Sequence, residues 1–107
     1  MSTDTSYTIT PELNQAIQAL GDAWVLSILC NLSRNSLRFN EIQRAVQGIN
    51  PVTLTNRLKK LEQSEIIRRE EETVDKISVV YQLTEKGRAI LPIIREFQTF
   101  AKTYCTK

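Results

Sequence analysis

Apolar residues recur three and four apart at Leu13, Ala16, Ile17 and Leu20, a spacing that predicts an amphipathic helix. Thr10 and Pro11 stand before it as N-cap and first helical residue, where the proline's missing N–H costs nothing. Gly21 ends this helix. Trp24, Val25, Ile28, Leu29 and Leu32 define a second, apolar over a wide arc and therefore expected to be largely buried. Leu37-Arg38-Phe39 reads as a short extended piece, and Asn40 as the cap of a third helix carrying Ile42, Ala45 and Val46. Gln47-Gly48-Ile49 reads as a turn. Asn50-Pro51 repeats the cap-plus-proline start and launches a fourth helix to about Gln63.

The pattern then changes. Ile66–Arg69 and Ile77–Leu83 are β-rich runs around the polar stretch Glu70–Lys76, which predicts a hairpin. Thr84 is expected to cap one long final helix reaching toward Tyr104. The fold class is therefore mainly α with a small β-hairpin (α+β). The order of elements is a winged helix-turn-helix with extra N- and C-terminal helices. Residues 1–9 read as a loose polar arm and residues 10–107 as the domain, its outer helices near 10–20 and 85–104.

Composition narrows the chemistry. At 107 residues the chain has the length of one domain, and 41% hydrophobic content is enough for a core without staples. The net charge of +2 is weak evidence for a nucleic-acid partner, so local charge matters more. The absence of histidine removes the commonest general base and metal ligand. Cys30 and Cys105 form no CxxC pair, which argues against zinc. No cofactor is implied, and without a nucleophile–base pair or glycine-rich phosphate loop an enzyme is not expected. No apolar run spans a bilayer and no signal peptide is evident, so the expectation is a cytoplasmic, reduced protein without a membrane partner.

The fourth helix carries the chemistry. Leu54, Leu58 and Leu61 share one face, while the opposite face carries Val52, Asn56, Lys59, Lys60 and Gln63, with Thr53 and Thr55 on the flanks. Pro51–Leu61 holds Arg57, Lys59 and Lys60 and no anion. Thr53, Thr55 and Asn56 are candidates for base edges, Lys59 and Lys60 for phosphate. Arg57 sits toward the buried side, and an internal ion pair and a DNA contact are equally open for it.

Four stretches in order, Leu20-Gly21-Asp22-Ala23-Trp24, Arg38-Phe39-Asn40-Glu41-Ile42, the run from Gly48 to Glu62, and Tyr81-Gln82-Leu83-Thr84-Glu85-Lys86-Gly87, resemble the HxlR-type transcription regulators. The resemblance runs from about Leu13 to Leu91. It implies a dimeric winged-helix regulator of bacterial or archaeal type. Two departures stand out. Many members carry a redox-sensing cysteine before a proline at the start of the first helix; here Thr10 precedes Pro11. Cys30, on an apolar helix, is expected in the core, which leaves Cys105 as the place for a thiol sensor or intersubunit disulfide. Family wings tend to be basic, whereas Glu70–Lys76 sets four carboxylates against Lys76, the single wing cation and a candidate phosphate contact. Glu70–Glu72 are expected to point away from DNA and pair with Arg68 or Arg69.

In the last helix Ile90, Ile94, Phe97, Ala101 and Tyr104 form a stripe, with Ile93 and Phe100 off its centre. So much apolar surface on a terminal helix marks an interface. Leu13, Ile17, Ile93, Phe97, Phe100 and Tyr104 are the expected dimer contacts. The functional expectation is a homodimer binding an inverted repeat in double-stranded DNA, with an effector, small molecule or redox signal, unidentified. The alternative is a winged helix used for protein–protein contact, which the acidic wing suggests.

Overall fold

The computed structural model describes residues 7–73 and 77–105. The chain runs α1 (Pro11–Leu20), α2 (Ala23–Asn31), β1 (Leu37–Arg38), α3 (Phe39–Ala45), α4 (Pro51–Gln63), β2 (Ile67–Thr73), β3 (Ile77–Leu83), α5 (Glu85–Arg88) and α6 (Leu91–Tyr104). Side-chain caps set most of the helix starts, each satisfying an amide that the helix leaves orphaned. Thr10 Oγ1 accepts the Leu13 amide at 3.0 Å and Asn50 Oδ1 the Thr53 amide at 2.8 Å. Asp22 Oδ1 accepts the amides of Trp24 and Val25 at 2.8 and 3.2 Å. The cap of α3 is Arg38 rather than Asn40: Glu41 Oε1 reaches back to accept the Arg38 amide at 2.8 Å, which starts the helix two residues early.

Each short helix buries one stripe. Val25, Ile28, Leu29 and Leu32 from α2 and its C-terminus meet Ile42 and Val46 from α3 and Leu54, Leu58 and Leu61 from α4. Ile66, Ile67, Leu83 and Ile90 close the core beside the sheet. Neither α1 nor α6 contributes a buried residue.

The sheet has three antiparallel strands in the order β1-β3-β2, one more than the expected hairpin. Leu37 pairs with Tyr81, and the hairpin register runs from Ile67–Leu83 to Thr73–Ile77. Strand β2 therefore continues through Glu70, Glu71 and Glu72, which the charge run had suggested as loop. Ladder pairing uses backbone groups, and the β-branched run of β3 carries it outward whatever charges the partner displays.

The final helix is not continuous. Thr84 Oγ1 caps a four-residue α5 by accepting the Gly87 amide at 3.1 Å, and the chain turns at Ala89-Ile90 before α6. Pro92 explains the break, because it has no N–H for the carbonyl of residue 88 and its ring would clash there. The turn also tucks Ile90 into the core at 7% exposure.

Two backbone positions shape the approach to α4 and its exit. Gly48, at φ +86°, turns the chain between α3 and α4 in a region that side-chain-bearing residues rarely adopt. Glu65, at φ +60°, ends α4: its amide donates to Glu62 O and the Ile66 amide donates to Leu61 O, each at the C-terminal position usually closed by glycine.

Candidate nucleic-acid interface

Helix α4 lies with Leu54, Leu58 and Leu61 at 0–2% exposure against the body. Its other face is therefore held outward by packing. Val52 is 70% exposed, Asn56, Lys59 and Lys60 are exposed, and Thr53 and Thr55 are half-buried on the flanks. The five polar residues and Val52 thus share one protruding surface, as their spacing predicts.

The three cations of α4 have different surroundings. Arg57 extends to Asp22: Nη2 lies 2.9 Å and Nε 3.0 Å from Oδ2. Of the two roles left open for Arg57, the structure displays the ion pair. Burial pushes the Asp22 carboxyl up, but the Val25 amide, the Arg57 hydrogen bond and charge, and the Trp24 amide together outweigh it and hold the group below its ordinary 3.8. Lys60 donates to the carbonyl of Gln18 on α1 at 2.8 Å. Lys59 stands instead at a cleft of about 300 Å³ between α4 and the sheet, lined also by Phe39, Thr55, Glu62, Arg69 and Tyr81.

From the sequence Arg69 is expected only as an ion-pair partner for the wing glutamates; the signal that brings it to this cleft is the β period, which puts it on the same side of β2 as buried Ile67. A second hollow, lined by Asn40, Gln43, Arg44 and Ile49, adjoins the α3–α4 turn. The i, i+3, i+4 spacing of Asn40, Gln43 and Arg44 marks the polar face opposite Ile42, a signal that was available and unused.

On the wing, Arg68 Nε lies 3.3 Å from Glu70 Oε1, one of the pairings expected. Lys76 lies outside the described residues. Among those residues no group of carboxylates and thiols is arranged to hold a metal.

Cys30 is exposed, not in the core. The buried arc of α2 is Val25, Ile28 and Leu29, and Cys30 falls beyond it, at a groove with Arg34 and with Leu91, Ile94 and Arg95 of α6. Cys105 is also exposed. On α6 the stripe divides: Ile94 and Ala101 are half-buried, whereas Ile93, Phe97, Phe100 and Tyr104, at i, i+4, i+7 and i+11, are 54–73% exposed. The Phe100 and Tyr104 rings lie 5.2 Å apart on that face. Leu13 and Ile17 of α1 are 42% and 44% exposed.

Comparisons with known proteins follow this architecture closely. The HxlR-like helix-turn-helix family matches residues 19–107. The HTH-type transcriptional regulator YodB of Bacillus subtilis is 36% identical over 98 residues, 92% of this chain and 88% of that protein. The uncharacterized HTH-type transcriptional regulator YvaP of the same organism is 33% identical, covering 85% and 84% of the two chains. The reduced form of YodB superposes with a TM-score of 0.82 over 90% of this chain and 94% of that one, at 35% identity; YodB has also been solved diamide-treated and quinone-bound. A MarR-family regulator structure from Porphyromonas gingivalis has a TM-score of 0.78 at 27% identity, covering 97% and 98%. With the family profile spanning most of the chain and the whole sheet-and-helix frame shared, the chain belongs to the HxlR-like helix-turn-helix family and is a transcriptional regulator of helix-turn-helix type.

Proposed function

We propose that this regulator binds an inverted repeat in double-stranded DNA as a homodimer, with α4 as its recognition helix. The observation that carries the reading is the protruding face of α4, where Val52, Asn56 and Lys59 stand clear of the body while three leucines anchor the other side. In a major groove, Asn56 suits bidentate pairing with adenine, Val52 suits a thymine methyl, and Thr53 and Thr55 suit base edges near the helix start. Lys59, with Arg69 across the cleft and Arg44 on α3, suits phosphate. Lys76 belongs to the same set as a wing contact. Arg57 and Lys60, bonded to Asp22 and to the Gln18 carbonyl, support the recognition helix from behind rather than join that set.

The twofold contact is assigned to Leu13 and Ile17 of α1 with Ile93, Phe97, Phe100 and Tyr104 of α6, large apolar side chains that a lone protomer leaves in water. A twofold axis would set the two recognition helices about 34 Å apart, one turn of DNA. The effector class follows from likeness to YodB, known in diamide-treated and quinone-bound forms. Quinones and thiol oxidants are the compounds to test, and with Thr10 before Pro11 the thiols to test are the two exposed ones, Cys105, one residue beyond Tyr104, and Cys30.

Selection of bound duplexes from a random library tests the reading. An enriched inverted repeat, bound with affinity that falls steeply as salt rises, is the expected result. Recovery of no palindrome and no binding at low salt would leave protein–protein contact as the role. On the selected duplex, Asn56→Ala should cost about 1–3 kcal/mol and relax preference at one base pair. Lys59→Ala should weaken all sequences alike and flatten the salt slope by about one unit.

A further inference from the structure

Two of the three cations of α4 are bonded not toward solvent but toward the corner where α1 turns into α2. Arg57 holds Asp22 Oδ2 at 2.9 and 3.0 Å, and Lys60 holds the Gln18 carbonyl at 2.8 Å. Both corner residues lie within five positions of Ile17, the last exposed apolar residue of α1. Arg57 and Lys60 are three apart, so they leave the same side of α4 one turn from each other. A helix held at one point can pivot; a helix held at two points one turn apart has a fixed angle to its support.

We infer that Asp22 and the Gln18 carbonyl, gripped by Arg57 and Lys60, form a latch that fixes the angle of α4 to α1 and so sets which half-site spacing the dimer accepts. Arg57, Lys60 and Asp22 are positioning residues rather than DNA contacts. The inference rests on the reading of α4 as the recognition helix of a dimer. Asp22 divides its two oxygens between two tasks: Oδ1 caps α2 and Oδ2 receives Arg57. That division makes Asp22→Asn an informative change. Its amide oxygen can still cap α2, while its NH₂ would face the guanidinium, donor against donor, and the latch would open with the helix start intact.

The test uses the full-length protein and a duplex recovered from the random-library selection, together with versions carrying one base pair added or removed between the half-sites. The wild type should discriminate against both altered spacings. Asp22→Asn, Arg57→Gln and Lys60→Met should each bind the parent duplex about threefold to tenfold more weakly and lose most of that discrimination, with the salt slope unchanged. Asp22→Asn combined with Arg57→Gln should be no worse than either alone, since one bond is removed once. If Arg57→Gln or Lys60→Met instead lowers the salt slope by about one unit and keeps the spacing preference, those cations sit on phosphate and the latch is wrong. Unchanged spacing preference in Asp22→Asn overturns it equally. Should the wild type bind no duplex at all, the DNA-reading role fails by itself, and thermal melting of the same double-mutant cycle decides the latch: coupled losses support it and additive losses reject it.

Discussion

Helices α4 and α6 carry similar amphipathic patterns and meet opposite fates. In α4 the leucines at 54, 58 and 61 are 0–2% exposed, and the polar side looks outward. In α6 the residues at 93, 97, 100 and 104, spaced in the same way, are 54–73% exposed, while only the flanking Ile94 and Ala101 reach toward the core. Periodicity therefore says that a helix has an apolar face but not what covers it. The α4 stripe is covered by its own chain because α2, the sheet and α3 surround it. The α6 stripe begins after the Pro92 break has turned the chain away from that core. Its side chains are aromatic and large, and hydration of such a face is costly enough that a second surface is expected over it.

The comparison is broken most forcefully by truncating each stripe. Leu58→Ala should cost about 2–5 kcal/mol, the lost transfer energy plus a cavity. Its melting temperature should fall by an amount independent of protein concentration. Phe97→Ala should instead show a loss that is largest at high protein concentration and shrinks on dilution toward the monomer, because the stabilisation it removes comes from association. If Phe97→Ala melts lower by the same amount at every concentration, α6 is covered by its own chain. Smaller effects sharpen the contrast from the α4 side. Glu65→Gly relieves the left-handed backbone at the end of α4 and should stabilise by about 0.5–1 kcal/mol, raising the melting temperature by a few degrees without changing association. The Asp22–Arg57 bond is half-exposed and should contribute less than about 1 kcal/mol. Because the Asp22 carboxyl is held below its ordinary 3.8, that contribution is present in full above that value and lost as pH falls through the depressed value. The stability gap between wild type and Asp22→Asn should accordingly be constant from pH 5 to 8 and close only in acid, as chemical denaturation at each pH would report.

Much of this architecture is legible in the sequence. Thr10-Pro11 and Asn50-Pro51 announce helices α1 and α4 because a cap and a proline act through local geometry alone. The leucine stripe of α4 follows from its period, and with it the outward face that includes Asn56 and Lys59. What escaped depends on distant partners or on backbone. Arg57 meets Asp22 across 35 positions of sequence, and no local signal chose between that partner and DNA. Cys30 was assigned to the core from the apolar company it keeps, yet the buried arc of α2 stops short of it. The charge of the β2 glutamates suggests loop, although Glu70 and Glu71 keep their side chains exposed while their backbone pairs with β3. Pro92 was readable and decides where the last helix breaks. The α6 period centres its apolar stripe on Ile90 and Ile94, yet the residues expected at an interface, Ile93, Phe97, Phe100 and Tyr104, are the ones left exposed, because Ile90 and Ile94 turn toward the core.

The central claim, that the exposed apolar faces of α1 and α6 meet their counterparts across a twofold axis, is tested most directly by sedimentation of wild type and Ile93→Glu. The wild type should sediment as a dimer at micromolar concentration and Ile93→Glu as a folded monomer with helical circular dichroism retained and affinity for an inverted repeat greatly reduced. A wild type that is monomeric, or an Ile93→Glu variant that stays a dimer with native DNA affinity, would contradict the account.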